Sequence, residues 1–383
     1  MKTSLAAGAC ALAFCSALFA DDDRQFPKSA TFTTLAVTPL AIEGLIADRD
    51  GNFYTTGRAA APALCPVWRV SGPTLTVVGF IPNPAACNPS GITFDAHGDL
   101  YVADAASGGI VWRLSPDATV PPTAAAFATG VPGTNGLAFD RDGNLWTGDG
   151  TTGQGRVWRI DSTGGAVCTP GSEIACREAF RIQPMANAAG IGRSNSTLQA
   201  PAAPNPQPLV ANGLAFTHDG DLYVADTARG AIWKIELDRH GNLKSRTGCD
   251  TTFTANTLCL DNVFVTHPFL DGTDGIALDR AGNIWNSANE RNAIVVVTRD
   301  GRVMEIFRNP VLAGLRNAGP LELPTSPVLI GKRFCTANSD GNRRDNSPNS
   351  AGEVNQGGPV GARGKISCMD QELEIPGARL PVR

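Results

Sequence analysis

One stretch of this chain is written almost twice. "NGLAFDRDGNLW" runs from Asn135 to Trp146 and "NGLAFTHDGDLY" from Asn212 to Tyr223. Aligning on the shared turn recovers three further copies: "EGLIADRDGNFY" from Glu43, "SGITFDAHGDLY" from Ser90 and "DGIALDRAGNIW" from Asp274. Each copy opens with a polar residue and Gly, continues as an alternating apolar stretch, and turns at Gly-Asn or Gly-Asp into an apolar–aromatic pair. Alternation of this kind makes strands, and the Gly-centred turn makes a hairpin. A third strand follows in "VWRV" at Val67, "VWRL" at Val111, "VWRI" at Val157 and "AIWKI" at Ala231, and a fourth in "TVVGF", "AAFAT", "AFRI" and "NVFVT".

The glycines that mark the copies, Gly44, Gly91, Gly136, Gly213 and Gly275, are 47, 45, 77 and 62 residues apart. A four-stranded unit with a period near 45 is a propeller blade. A sixth, less regular blade is expected from "SPVLIGKRFCTAN" at Ser326 and "KISCMD" at Lys365, with "TFTTLAVT" from Thr31 supplying its missing strand. The expectation is therefore an all-β chain. Residues 31–370 form one six-bladed β-propeller whose N-terminal strand closes the last blade, and a tail covers 371–383.

Before the repeat, Lys2 and an apolar run from Leu5 to Ala20 end at Asp21-Asp22-Asp23. This pattern predicts a signal peptide over 1–20, cleavage after Ala20, and a periplasmic or secreted protein with no membrane attachment once the signal is removed. Eight cysteines follow it. An even number in an exported chain suggests disulfides, and sequential pairing (Cys65–Cys87, Cys168–Cys176, Cys249–Cys259, Cys335–Cys368) is the expectation, although spacing alone does not fix connectivity. The formal net charge of -4, with no Lys/Arg run, gives no electrostatic reason to expect a nucleic-acid partner. Oligomeric state is not legible.

The first strand of a propeller blade lines the central channel, so the residues that open the copies converge on one mouth. They are Glu43, Ser90, Asn135, Asn212 and Asp274, all oxygen donors. Two carboxylates in one narrow space require a proton, a basic side chain or a cation between them, and none of the five aligned positions is Lys, Arg or His. Two carboxylates with two carboxamides make a hard, all-oxygen set suited to Ca²⁺, with Mg²⁺ as the other candidate. Glu43, Asn135, Asn212 and Asp274 are the expected ligands, Asp274 doubling as general base. Ser90 is a candidate for substrate contact or support. A second polar series closes the second strands: Asp104, Asp149, Asp226, Asn289 and Asn338. Turn-making is its commonest use, with Asp226 the member expected to orient a ligand. His267, just before the Asp274 copy, is a candidate proton carrier. Two polar inserts, 183–211 and 339–364, fall on the mouth side and suit lids over a small-molecule substrate.

On "EGL" at Glu43, "NGLAF" at Asn135 and Asn212, "DGIALD" at Asp274 and the closing "PTSPVLIGKRFCTAN", the chain resembles the senescence-marker protein/gluconolactonase/strictosidine-synthase-like propellers. The resemblance implies a divalent metal on a first-blade Glu, a fourth-blade Asn and a fifth-blade Asp, with a third-blade Asn supporting metal or substrate. It also implies hydrolysis of a lactone or related ester. The first blade reads Glu-Gly-Leu where gluconolactonases often have Glu-Gly-Pro. "PGTNG" lacks the Arg that helps some members bind sugar lactones. The repeat is also similar to NHL-type propellers, many of which only bind a ligand or protein, and that non-catalytic role is the alternative. "GDGTTG" leads into a strand, not the helix a dinucleotide site requires, and "DRDGN" lacks the ligand set of a calcium loop. There is no G-x-S-x-G and no H-E-x-x-H.

Overall fold

The computed structural model describes residues 26–27, 29–82, 87–164, 166–168, 175–183, 210–309, 319–339 and 363–378. The expected signal segment and most of both inserts lie outside them. Within them the chain forms six antiparallel blades. Blade 1 is Ile42–Ala47, Phe53–Gly57, Cys65–Ser71 and Thr74–Ile81; blade 2 is Pro89–Phe94, Leu100–Asp104, Ile110–Leu114 and Ala125–Thr129. Blade 3 is Thr134–Phe139, Leu145–Asp149, Arg156–Ile160 and Cys176–Arg181; blade 4 is Ala211–Phe216, Leu222–Asp226, Ala231–Ile235 and Val263–Thr266. Blade 5 is Thr273–Leu278, Ile284–Ala288, Ala293–Val297 and Val303–Arg308. Blade 6 joins Pro324–Ile330, Arg333–Asn338 and Gly364–Met369 to the N-terminal strand Phe32–Thr38. The first strands pack in succession around the axis, the sixth returning to the first. The six-bladed ring and its closing strand are as the repeat predicts.

The Gly of each copy is needed for this packing. A methyl group on Gly136 would collide with the carbonyl of Asn212, and one on Gly213 with the carbonyl of Asp274, because each first strand lies against the opening residue of the next blade. The same starter–Gly pair sits in a β-bulge in every repeat, where register shifts within Ile42–Leu45, Pro89–Ile92, Thr134–Leu137, Ala211–Leu214 and Thr273–Ile276. Bulges re-aim side chains, and here each one falls at the residue that opens the channel. The wedges between blades are filled by apolar residues, such as Trp146 and Phe180 against Leu222 and Trp233 between blades 3 and 4.

The rest of the repeat is a hairpin device. Asp279 accepts from the backbone N–H of Ala281 (2.9 Å) and Asn283 (3.0 Å), from Asn283 Nδ2 (2.8 Å) and from Trp285 Nε1 (3.2 Å). Asp48 and Asp140 repeat the pattern with Tyr54 and Trp146 as the ring donor. The motif therefore specifies a turn and carries no calcium loop. Asp279→Ala leaves a buried indole N–H and two backbone N–H groups without their acceptor, and is expected to lower stability by about 2–4 kcal/mol. Asp238→Ala is the comparison, since Asp238 makes the same local bonds with no ring donor. Denaturant unfolding of the two variants should show the smaller loss for Asp238.

Two features go beyond the repeat. Parallel bridges from the third-to-fourth-strand loops of blades 2, 3 and 4 cover the outer edges of blades 1, 2 and 3, through Phe80–Thr123, Ala128–Ala166 and Arg181–Thr257. Covering an edge strand removes a site of unwanted pairing. Residues of the expected tail also bond back to the ring, Gly377 to Gly331 and Ala378 to Leu278. All four expected disulfides are formed, Cys65–Cys87 on the mouth side and Cys168–Cys176 and Cys249–Cys259 on the opposite face.

Candidate functional site

Strand register delivers the polar residues to one mouth. Ile42, Pro89, Thr134, Ala211, Thr273 and Pro324 pair with Gly57, Asp104, Asp149, Asp226, Ala288 and Asn338, the last residues of the second strands. The starters follow the first set by one residue: Glu43, Ser90, Asn135, Asn212, Asp274 and, in blade 6, Thr325. Facing them, one residue past the second set, stand Arg58, Ala105, Gly150, Thr227, Asn289 and Ser339.

This facing column decides how each starter is held. Glu43 forms an ion pair with Arg58. Asn135 is buried over Gly150, where a methyl group would collide with its amide. Asn212, also buried, donates through Nδ2 to Thr227 Oγ1 at 3.0 Å; Thr227 in turn donates to the carbonyl of Thr273 at 2.6 Å. Asp274 accepts from Asn289 Nδ2 at 2.9 Å. Thr325 donates to the carbonyl of Glu43 at 2.7 Å and locks blade 6 to blade 1. Ser90 Oγ reaches the carbonyls of Thr134 (3.3 Å) and Ala103 (3.5 Å), so its hydroxyl serves the backbone.

The polar series expected at the ends of the second strands spans two columns. Asp104 accepts from the N–H of Asn88 and Ala106 and from Trp112 Nε1. Asp226 accepts from the Arg229 guanidinium at 2.7 Å, the Arg229 N–H at 3.2 Å and Trp233 Nε1 at 3.0 Å, and burial pushes its carboxyl above the usual range. The side chain that touches Asn212 is Asp226's neighbour, Thr227. Of the series, Asn289 is the one that bonds to a starter, because it belongs to the facing column. His267 caps a short turn, its Nδ1 accepting from the Phe269 N–H at 3.0 Å, with its ring edge-on to Phe269.

Arg58 is the residue that sequence reasoning missed. Its Nη2 pairs with Glu43 and its Nε donates to the carbonyl of Pro89 at 3.4 Å. Desolvation lowers its guanidinium to about 10, while Asp274 and Asp104 act in the opposite sense, so it stays cationic at neutral pH. One guanidinium thus lies in the field of both Glu43 and Asp274, and the mouth carries a basic side chain after all. The signal was the hairpin register: Gly57 opposite Ile42 puts Arg58 opposite Glu43. Asp271, in the mouth-side connection before Asp274, was also passed over. Burial raises its carboxyl to about 6, against Arg291 and Arg308.

The donors fit a hard divalent cation in kind. Glu43, Asn135, Asn212 and Asp274 all offer oxygen, and Thr227 fixes the Asn212 amide through its nitrogen. Asn289 Oδ1, beside Asp274, is buried and has no hydrogen-bond partner among the described residues, an acceptor that a cation or its water would satisfy. Among the described residues no cluster of three or more His, Cys, Asp or Glu is arranged around a metal. Any ion must therefore rely on the amides. The other half of the channel is different in character. An axial cavity of about 210 Å³ there is lined by residues such as Leu45, Ile92, Leu214, Ile276, Val328 and Ala378, with no ionisable group. The ionisable groups described above stand at the mouth instead.

Residues 165–315, less than half of the chain, match the family model of the SMP-30/gluconolactonase/LRE-like region. No curated protein sequence matches the chain. Among solved structures, a gluconolactonase from Xanthomonas campestris is similar over 94% of this chain and 93% of its own, at 15% identity and a TM-score of 0.55. A calcium-binding protein, regucalcin, from Agrobacterium tumefaciens is similar over 93% and 98%, at 17% identity and 0.54. The PQQ-bound aldose sugar dehydrogenase of Streptomyces coelicolor is similar over 90% and 99%, at 15% identity and 0.53. At these identities the structures establish a shared fold, and the dehydrogenase among them warns that the fold alone does not select a chemistry. The resemblance drawn from the sequence is borne out by the family model over its segment.

Proposed function

We propose that the mouth is the active site of an exported hydrolase that opens a lactone or a related ester, using a divalent cation, Ca²⁺ foremost, held by Glu43, Asn135, Asn212 and Asp274. The observation that carries the reading is the Asp274–Asn289 pair, which leaves a buried Asn289 oxygen, without a partner among the described residues, beside a carboxylate at the place where the starters converge. The family match over 165–315, which includes Asn212 and Asp274, supports the reaction class. Four disulfides support an oxidising compartment. When bound, such an ion would polarise the substrate carbonyl and lower the pKa of the attacking water.

The chain's own residues set the geometry. Asn289 donates to one oxygen of Asp274, which aims the side chain. Asp274 is then the acceptor for a proton leaving water. Thr227 holds Asn212, and the buried site of Asn135 over Gly150 leaves that amide little room to turn. Ser90 stabilises the ring. Fixed amides of this kind orient a carbonyl without reorganising during the reaction.

The mature protein, stripped with a chelator and assayed on a panel of lactones and aryl esters, is expected to lose turnover and to regain it when Ca²⁺ is restored. Calcium binding with no turnover on any panel member would leave a binding propeller in place of an enzyme. Turnover that survives chelation unchanged would remove the ion from the reaction.

A further inference from the structure

Arg58 is anchored on three sides. Its backbone N–H bonds to the carbonyl of Ala41 at 2.9 Å, its Nε to the carbonyl of Pro89, and its terminal nitrogen to Glu43. The segment behind it is pinned by the Cys65–Cys87 disulfide: the Ala59 N–H donates to Cys65 Sγ at 3.1 Å, and Cys87 Sγ lies 3.9 Å from the Ala59 carbonyl. The guanidinium is therefore held in the mouth and is not a surface arm that happens to fold inward. Glu43 is paired directly with this guanidinium, and Asp274 lies in its field.

We propose that Arg58 is a tethered counter-ion that competes with a divalent cation for the Glu43 carboxylate, so that the mouth accepts the ion only as Arg58 gives Glu43 up. The inference rests on the cation part of the functional reading and assigns to it a residue outside the ligand set. A carboxylate in a bonded pair with a guanidinium has part of its coordinating capacity committed. A cation placed on Glu43 with Arg58 still there would set like charges side by side where little water screens them. Asp104 offers no easy refuge, since both its oxygens already accept hydrogen bonds from Asn88, Ala106 and Trp112. Asp274 also faces the guanidinium and is itself a proposed ligand. Arg58 must therefore hold the cation affinity of the mouth below what the oxygen set alone would give. A Lys there keeps the charge but loses the planar fork.

The test is calorimetric titration of the full mature protein with CaCl₂ at constant ionic strength, for wild type, Arg58→Gln and Arg58→Lys, each checked for native circular dichroism. Arg58→Gln is expected to bind Ca²⁺ at least about tenfold more tightly than wild type, with Arg58→Lys closer to wild type. In wild type, the Arg58 Nε–H resonance, assigned from its absence in the variants, is expected to shift as Ca²⁺ is added. This second readout needs no variant to bind. If wild type binds Ca²⁺ but Arg58→Gln binds no more tightly, or if the resonance does not move on saturation, the inference fails and the cation reading stands. If neither wild type nor folded Arg58→Gln binds Ca²⁺ at millimolar concentration, the cation reading fails and takes the inference with it.

Discussion

Asp274→Asn is expected to reduce lactone turnover by about 10²–10⁴-fold while leaving the fold intact. The substitution is nearly isosteric. Its amide oxygen can still accept from Asn289 Nδ2, so the buried pair keeps its shape. What disappears is a negative charge at the mouth and the acceptor proposed to take a proton from water. The two roles separate experimentally. A variant that binds Ca²⁺ as wild type does but fails to turn over has lost the base. A variant that also loses Ca²⁺ affinity has lost a ligand. Steady-state kinetics on the best substrate of the panel, together with a calcium titration and denaturant unfolding, measure all three quantities. Activity within about threefold of wild type, on a protein of unchanged stability, would mean that the reaction is not performed at this mouth.

The sequence made the ring legible because the same packing problem is solved in every blade. In blades 1 to 5 a starter followed by Gly lets one first strand touch the next, and in blades 1, 2, 3 and 5 an Asp leads the hairpin where the first strand turns into the second. Such constraints are local and repeat with the period of the fold, so they are visible as text. The site is less legible because it consists of what the blades do differently at one shared position. The facing column reads Arg58, Ala105, Gly150, Thr227, Asn289 and Ser339, with no common chemistry to align on. Asp104, Asp149 and Asp226 do share a chemistry, and they draw attention to the adjacent column, where all three carboxylates hold loop N–H groups and Asp104 and Asp226 also hold indoles. Asn289 was grouped with them although the register places it one residue further on. Arg58 was invisible for the same reason: only the pairing of Gly57 with Ile42 shows that a residue 15 positions after Glu43 lies opposite it. The sixth starter, Thr325, was hidden by the Ser-Pro that replaces the usual Gly.

Phe32→Ala is expected to destabilise the protein by about 3–5 kcal/mol, and a chain that begins after Thr38 is expected not to fold cooperatively. Phe32–Thr38 is the outer strand of blade 6, running antiparallel to Gly364–Met369 from Phe32 opposite Met369 to Thr38 opposite Gly364. Phe32 is buried against Phe307 of blade 5 and Phe334 of blade 6, with ring centroids 4.9 and 5.9 Å away. Thr38 accepts from the Gly364 N–H at 3.1 Å and donates to Leu40 at 2.7 Å. Without this strand, Gly364–Met369 becomes an open edge and the wedge around Phe334 loses an aromatic wall. The Cys335–Cys368 disulfide holds the second and third strands of that blade together but contributes nothing to the missing fourth. Val37, on the same strand, is 53% exposed, so Val37→Ala should be nearly neutral and serves as the internal comparison. Unfolding midpoints in denaturant for the two point variants, with size-exclusion profiles for the truncation, decide the matter. Equal midpoints for Phe32→Ala and Val37→Ala would show that the N-terminal strand decorates the ring and does not close it. The mouth would suffer too if the strand does close it, because Thr325 of blade 6 bonds to the backbone of Glu43. A ring that opens between those blades then separates the first carboxylate of the site from the rest.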